Sequence, residues 1–152
     1  MSLKSYWRED GVSPIIPEDA LIEILSSLKT GVVFLSTVPS SDAEMRIVQA
    51  LAGLNHAKIL YCRELIEQLV EIIKNPHNGS PTDEVCARLM GCPVIIRFAD
   101  RICGLTATME CLAKICTKLS KDNVIIVTGD YLDKYVPELL QQLDAKQYYI
   151  CY

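Results

Sequence analysis

Apolar residues along the chain follow two alternating patterns. Continuous runs of strand length predict β-strands near 32–37, 58–62, 93–98, 123–128 and 147–151. They are rich in Val and Ile and apolar at nearly every position, as strands covered on both faces are. Between them, apolar positions recur at three- and four-residue spacing, which marks one buried helical face. A helix over 18–29 presents Leu21, Ile22, Leu25 and Leu28, with acidic residues in its first turn. Ser41 and Glu44 form a capping-box pattern ahead of Ile47, Val48, Leu51 and Leu54. Helices over 64–74, 83–90 and 105–119 follow. The first turns Leu65, Ile66, Leu69, Val70 and Ile73 inward; the last does so with Leu105, Met109, Leu112, Ile115, Cys116 and Leu119. Pro137 must kink the final helix or restart it, because it has no backbone N–H to donate.

Strictly alternating strands and helices with long connections predict an α/β fold, a three-layer Rossmann-like sandwich. Its sheet is mostly parallel and five-stranded, with helices on both faces. Strand orders 2-1-3-4-5 and 3-2-1-4-5 both fit the connections. Residues 1–17, with Trp7, Pro14 and Pro17, read as an irregular N-terminal arm, and 18–152 as a single domain. The polar stretch NPHNGSPTD, 75–83, reads as the longest loop.

Composition narrows the class. With 152 residues, half of them apolar and 22% charged, the chain is a globular domain rather than a disordered segment. No apolar run reaches membrane-spanning length and the first ten residues do not read as a signal peptide, so the cytoplasm is the expected location. A net charge of −4 with scattered basic residues argues against an extended nucleic-acid surface. Seven cysteines, an odd number with no CxxC pair, read as free thiols in a reducing compartment. His56 and His77 are too far apart in sequence to announce a metal site, and none is expected.

Several chemistries leave marks at the first strand-to-helix turn, STVPSSDAE. It has no glycine for a dinucleotide pyrophosphate, no GxxxxGK[ST] phosphate loop and no GxSxG elbow. Strand one ends in Ser36 and Thr37, where a phosphoacceptor would carry an acidic pair and a metal-dependent nuclease a glutamate. The residues that a parallel sheet would gather at its carboxyl rim are Ser36, Thr37, Ser40, Ser41, Arg63, Asp100, Arg101, Thr128 and Asp130. Hydroxyls, free helix N–H groups and two arginines there would suit a phosphate or another small anion. The same residue types are also common helix caps, so each has a purely structural reading. Asp130 reads as the cap of the last helix, with Gly129 permitting the corner.

DRICGLTATMECL, 100–112, adds Thr106 behind Gly104 at a helix start. Together with FLSTVPSS this segment resembles the cyclic-oligoadenylate-sensing domains associated with CRISPR systems. The resemblance covers about two dozen residues and departs from the family's pattern in lacking a doubled glycine and a lysine after Thr106. It implies a dimeric nucleotide-binding domain, with slow phosphodiester cleavage as its reaction. Cys62, expected at a helix N-terminus where the dipole lowers a thiol pKa, is the nucleophile candidate, but no base is evident beside it.

Two functions stay open. One is a non-catalytic interaction or regulatory module that self-associates through the aromatic terminal strand KQYYICY. The other is a domain that binds a nucleotide or another small anion. No cofactor is indicated.

Overall fold

The computed structural model describes residues 18–37, 42–74, 81–143 and 145–149. The expected arm 1–17, residues 75–80 of the expected loop, Ser40 and Ser41 therefore lie outside the described residues, as do His77 and 150–152; residues 81–83, expected in that loop, are helical instead.

Five strands form one sheet: β1 (Gly31–Thr37), β2 (Lys58–Tyr61), β3 (Val94–Arg97), β4 (Val124–Asp130) and β5 (Lys146–Tyr149). Every pairing is parallel, and the order is β2-β3-β4-β1-β5. Neither expected order is found. Burial explains the arrangement. β4 has six fully covered positions out of seven and takes the centre, whereas β2 is largely exposed and takes an edge. β5 forms the other edge, paired in register only with β1 (Val33 opposite Lys146).

Helices α1 (Glu18–Ser27) and α2 (Ala43–Asn55) cover one face. Their Leu21, Leu25, Ile47, Val48 and Leu51 pack on Val33, Leu35, Ile95 and Ile126. The opposite face carries α3 (Cys62–Lys74), α4 (Pro81–Leu89), α5 (Thr106–Leu119), α6 (Leu132–Tyr135) and α7 (Pro137–Leu143). There Leu65, Leu69, Val85, Leu112, Ile115 and Leu139 pack on Phe34, Val94, Ile96, Ile125 and Val127. Odd and even strand positions thus divide cleanly between two cores, as a period-2 pleat requires. The three-layer sandwich is the one expected.

Some details differ. Leu54, Val70 and Leu105, expected in the buried stripes, are exposed. The side chain of Ile73 lies outside the described residues. β3 stops at Arg97 because Phe98 turns to a left-handed conformation (φ 63°), and a 3-10 turn, Ala99–Ile102, follows. The last helix does restart at Pro137, after the short α6. Among the described residues no helix is long and apolar enough to cross a membrane.

Candidate functional site

β1 and β4 lie side by side, yet their following helices leave toward opposite faces, α2 to one and α6–α7 to the other. In an open α/β sheet such a divergence marks the usual ligand position, at the carboxyl ends of the two strands. Five of the ten sequence-derived candidates, Ser36, Thr37, Asp100, Thr128 and Asp130, meet there and are held by hydrogen bonds within the protein.

Glu44, in the first turn of α2, is buried, and its carboxylate turns back over the sheet. It accepts two hydrogen bonds from Arg97 at the end of β3, from Nη2 at 2.6 Å and from Nε at 2.8 Å. The hydroxyl of Thr128 on β4 donates a third, at 2.6 Å. The bidentate fork is the strongest pairing available to a carboxylate. Its hydrogen bonds push the Arg97 pKa upward against the opposing effect of burial. The capping-box expectation is corrected here: α2 has Asp42 at its cap without a side-chain bond, and Glu44 is engaged with Arg97 and Thr128.

Beside this group, the Thr37 hydroxyl donates to Asp130 Oδ1 at 2.8 Å. Ser36 Oγ accepts the backbone N–H of Leu132 at 3.2 Å and Nε2 of Gln147 at 3.4 Å, tying β1 to α6 and β5. Ser36 and Thr128 are wholly buried and Thr37 nearly so. Asp130 does not cap the last helix. It ends β4, and the cap position belongs to Tyr131, in a left-handed conformation (φ 45°). Gly129 serves close approach rather than the corner. A Cβ there would lie 2.7 Å from both Asp100 Oδ1 and Leu132 Cδ2. That contact seats the 3-10 turn against β4, and Asp100 Oδ1 accepts the Asp130 N–H at 3.3 Å. Burial raises the Asp100 pKa, only partly opposed by that N–H, and the neighbouring Asp130 charge adds to the rise.

Arg63, Arg101 and Thr106 stand apart from these residues. Arg63 is exposed and pairs along its helix with Glu67 at 3.2 Å. The Arg101 guanidinium lies 5.6 Å from the Phe98 ring centroid. Thr106 is exposed and faces a groove of about 780 Å3 between α5 and α6–α7, together with Glu110, Lys134 and Glu138. Cys62 is the first residue of α3, but burial and the nearby Asp100 charge push its pKa up to about 12, the reverse of an activated thiol.

A second concavity, of about 470 Å3, opens at the ends of β2 and β3. Tyr61, Ile66, Phe98, Ile102 and Leu105 form its walls, and Arg63 and Arg101 its charged lining. Tyr61 and Phe98 stack with centroids 5.6 Å apart at an interplanar angle of 12°. The guanidinium of Arg97 lies 4.9 Å from the Phe98 centroid and 5.3 Å from that of Tyr61, so one arginine links this concavity to Glu44. Sequence reasoning missed Glu44, Arg97, Tyr61 and Phe98 as site residues. A charge within an otherwise apolar strand, RF after VII, was the available signal, since a buried charge needs a partner.

No family model and no curated protein matches the sequence. Among solved structures, the chain is similar to domain III of the replication initiation protein DnaA from Thermotoga maritima. The TM-score is 0.70 at 11% identity, over 88% of this chain and 60% of that one. A replication initiator DnaA bound to AMPPCP and single-stranded DNA matches with a TM-score of 0.63 at 13% identity, over 88% of this chain and 43% of that one. AMPPCP-bound DnaA from Aquifex aeolicus gives a TM-score of 0.62 at 12% identity, over 88% of this chain and 44% of that one. The chain thus spans 43% to 60% of the length of these structures. The shared property is the fold, a parallel five-stranded α/β sheet with helices on both faces.

Proposed function

We propose that this chain is a non-catalytic interaction or regulatory module, built on a P-loop-type scaffold and self-associating. The observation that carries the reading is the set of internal hydrogen bonds at the carboxyl ends of β1 and β4. A phosphate loop enters its helix on Lys-Ser/Thr and cradles phosphates with glycine-rich backbone. Here the helix enters on Ala43-Glu44, and the carboxylate is held by Arg97 and Thr128. A triphosphate at that helix start would meet a fixed negative charge. The hydroxyls of Thr37 and Thr128 that would greet it already donate to carboxylates. Self-association is supported by β5, an edge strand that pairs on one side with β1 and has no second partner among the described residues.

One observation favours a second reading, a nucleotide- or anion-binding domain with slow phosphodiester cleavage as its reaction. DnaA structures of the same fold include nucleotide-bound ones. Thermal unfolding with millimolar ATP, ADP or AMPPCP, with and without Mg2+, and with cyclic oligoadenylates separates the two. A non-binding module shows no shift. A ligand present at 100 times its dissociation constant would add about 2.7 kcal/mol, and that result would replace the first reading with the second. Sedimentation velocity of the full chain at tens of micromolar tests the association; a monomer throughout counts against it.

A further inference from the structure

We propose that the concavity at the ends of β2 and β3 is a binding site for a small, planar, apolar anion, separate from the hydrogen-bonded ends of β1 and β4. Three observations converge on it. The volume of about 470 Å3 lies within the range of small-molecule sites. Its walls are the side chains of Tyr61, Ile66, Phe98, Ile102 and Leu105, while its only charged lining residues are Arg63 and Arg101. On a chain of net charge −4, an apolar concavity whose charges are all positive selects for an anion.

The arginines differ in availability. Arg63 shares its charge with Glu67, at 3.2 Å. Arg101 makes no ion pair among the described residues, and its guanidinium rests near the Phe98 ring. Asp100 interacts with it through space without a hydrogen bond, so the Arg101 fork can still receive a carboxylate or sulfonate in bidentate fashion. Backbone conformation points the same way. Phe98 holds φ 63°, a left-handed conformation that is unfavourable for a bulky side chain, and neither glycine nor asparagine stands there. The result of that conformation is a large ring set parallel to Tyr61 at the concavity's wall. Strain of this kind is kept where a side chain must be aimed. Tyr61 and Leu105 remain 43% and 51% exposed, so apolar surface is left for a ligand to cover.

The probe is 2-naphthoate, a planar apolar carboxylate, with neutral 2-naphthamide as its control. Titration of the full chain is followed by calorimetry and by backbone amide NMR shifts. Saturable naphthoate binding is expected, with shifts centred on Tyr61, Phe98 and Ile102. Arg101→Gln should weaken naphthoate at least tenfold and leave naphthamide unchanged, because the charge-assisted fork to the carboxylate is lost. Leu105→Glu, on an exposed residue, should weaken both ligands. The proposal is overturned by any of three results: no saturation at millimolar naphthoate, equal affinity for acid and amide, or shifts confined to the groove around Thr106 and Tyr135. Because nucleotides are absent from this titration, its failure leaves the reading of the β1 and β4 ends untouched.

Discussion

Replacing Arg97 by Met tests the buried clamp on Glu44. The Glu44 and Arg97 side chains are 8% and 13% exposed, so their charges interact largely outside water. Arg97→Met removes two of the three hydrogen bonds to the Glu44 carboxylate and leaves it buried with Thr128 alone. Stranding a buried charge in this way costs about 3–5 kcal/mol. Glu44→Gln should cost less, about 2–3 kcal/mol, because Gln still accepts from Thr128 and the freed guanidinium can swing toward solvent beside Tyr61. In the double variant no unpaired charge remains. Its loss should therefore fall short of the summed single losses by about 2 kcal/mol or more. Urea unfolding followed by circular dichroism measures all four proteins, with a common slope confirming that the denatured states are comparable. Salt supplies an internal control. The Arg63–Glu67 pair, with side chains 88% and 64% exposed, is screened by 1 M NaCl, whereas Glu44–Arg97 is not. Additive single losses below about 1 kcal/mol would mean a solvated pair and would refute the buried clamp.

Three further outcomes follow from the same geometry. Gly129→Ala places a methyl 2.7 Å from Asp100 Oδ1 and should cost about 1–3 kcal/mol by overpacking; Asp100→Ala in the same chain should recover part of that, and a neutral Gly129→Ala would refute the close approach. Because burial raises the Asp100 pKa, the folded state holds that proton longer than the unfolded chain does. Stability should then fall as pH rises from the ordinary carboxylate range through the folded value, and Asp100→Asn should flatten this slope in pH-dependent urea melts. At pH 8 iodoacetamide should modify exposed Cys103 well before Cys62, whose pKa stands at about 12; mass-spectrometric labelling at equal rates would restore Cys62 as a nucleophile.

How far the sequence could be read depended on the range of each interaction. Strands and helices were legible because their cause is local. Val94, Ile95 and Ile96 are buried from both sides and look so, and Pro137 restarts a helix wherever it stands after Val136. Strand order was not legible, because continuous apolar runs look alike at central and lateral positions. The exception was the terminal strand KQYYICY, whose short, aromatic, terminal character marked an edge, where β5 lies beside β1. Hydroxyls at strand ends carried the same ambiguity. Thr128 reads alike as a cap, a ligand or a donor, and its partner Glu44 lies 84 residues away. Glu44 itself matched a capping box so well that the local explanation concealed the long-range one. Tyr131 and Phe98 were missed for a different reason. Left-handed residues are expected to be glycine or asparagine, so a turn beside Gly129 was assigned to the glycine while the tyrosine made it.

The two places differ in how their charges are arranged, and that difference bears on function. Between β1 and β4, each acidic side chain that could serve chemistry already has a donor: Glu44 has Arg97 and Thr128, and Asp130 has Thr37. Groups satisfied in this way hold the fold together, and a ligand entering there must first break their bonds without offering better ones. At the ends of β2 and β3 the situation is reversed. Arg101 lies beside the Phe98 ring and makes no side-chain hydrogen bond to an acid among the described residues, its neighbour Asp100 acting on it through space, and apolar wall residues still face water. A ligand there gains contact without displacing an existing hydrogen bond to Arg101. Arg97 joins both places, clamping Glu44 with its fork while its guanidinium lies against Tyr61 and Phe98. Loss of the Glu44 clamp would thus be felt at the aromatic pair. The Glu44→Gln protein should bind 2-naphthoate with altered affinity even though residue 44 does not line that concavity.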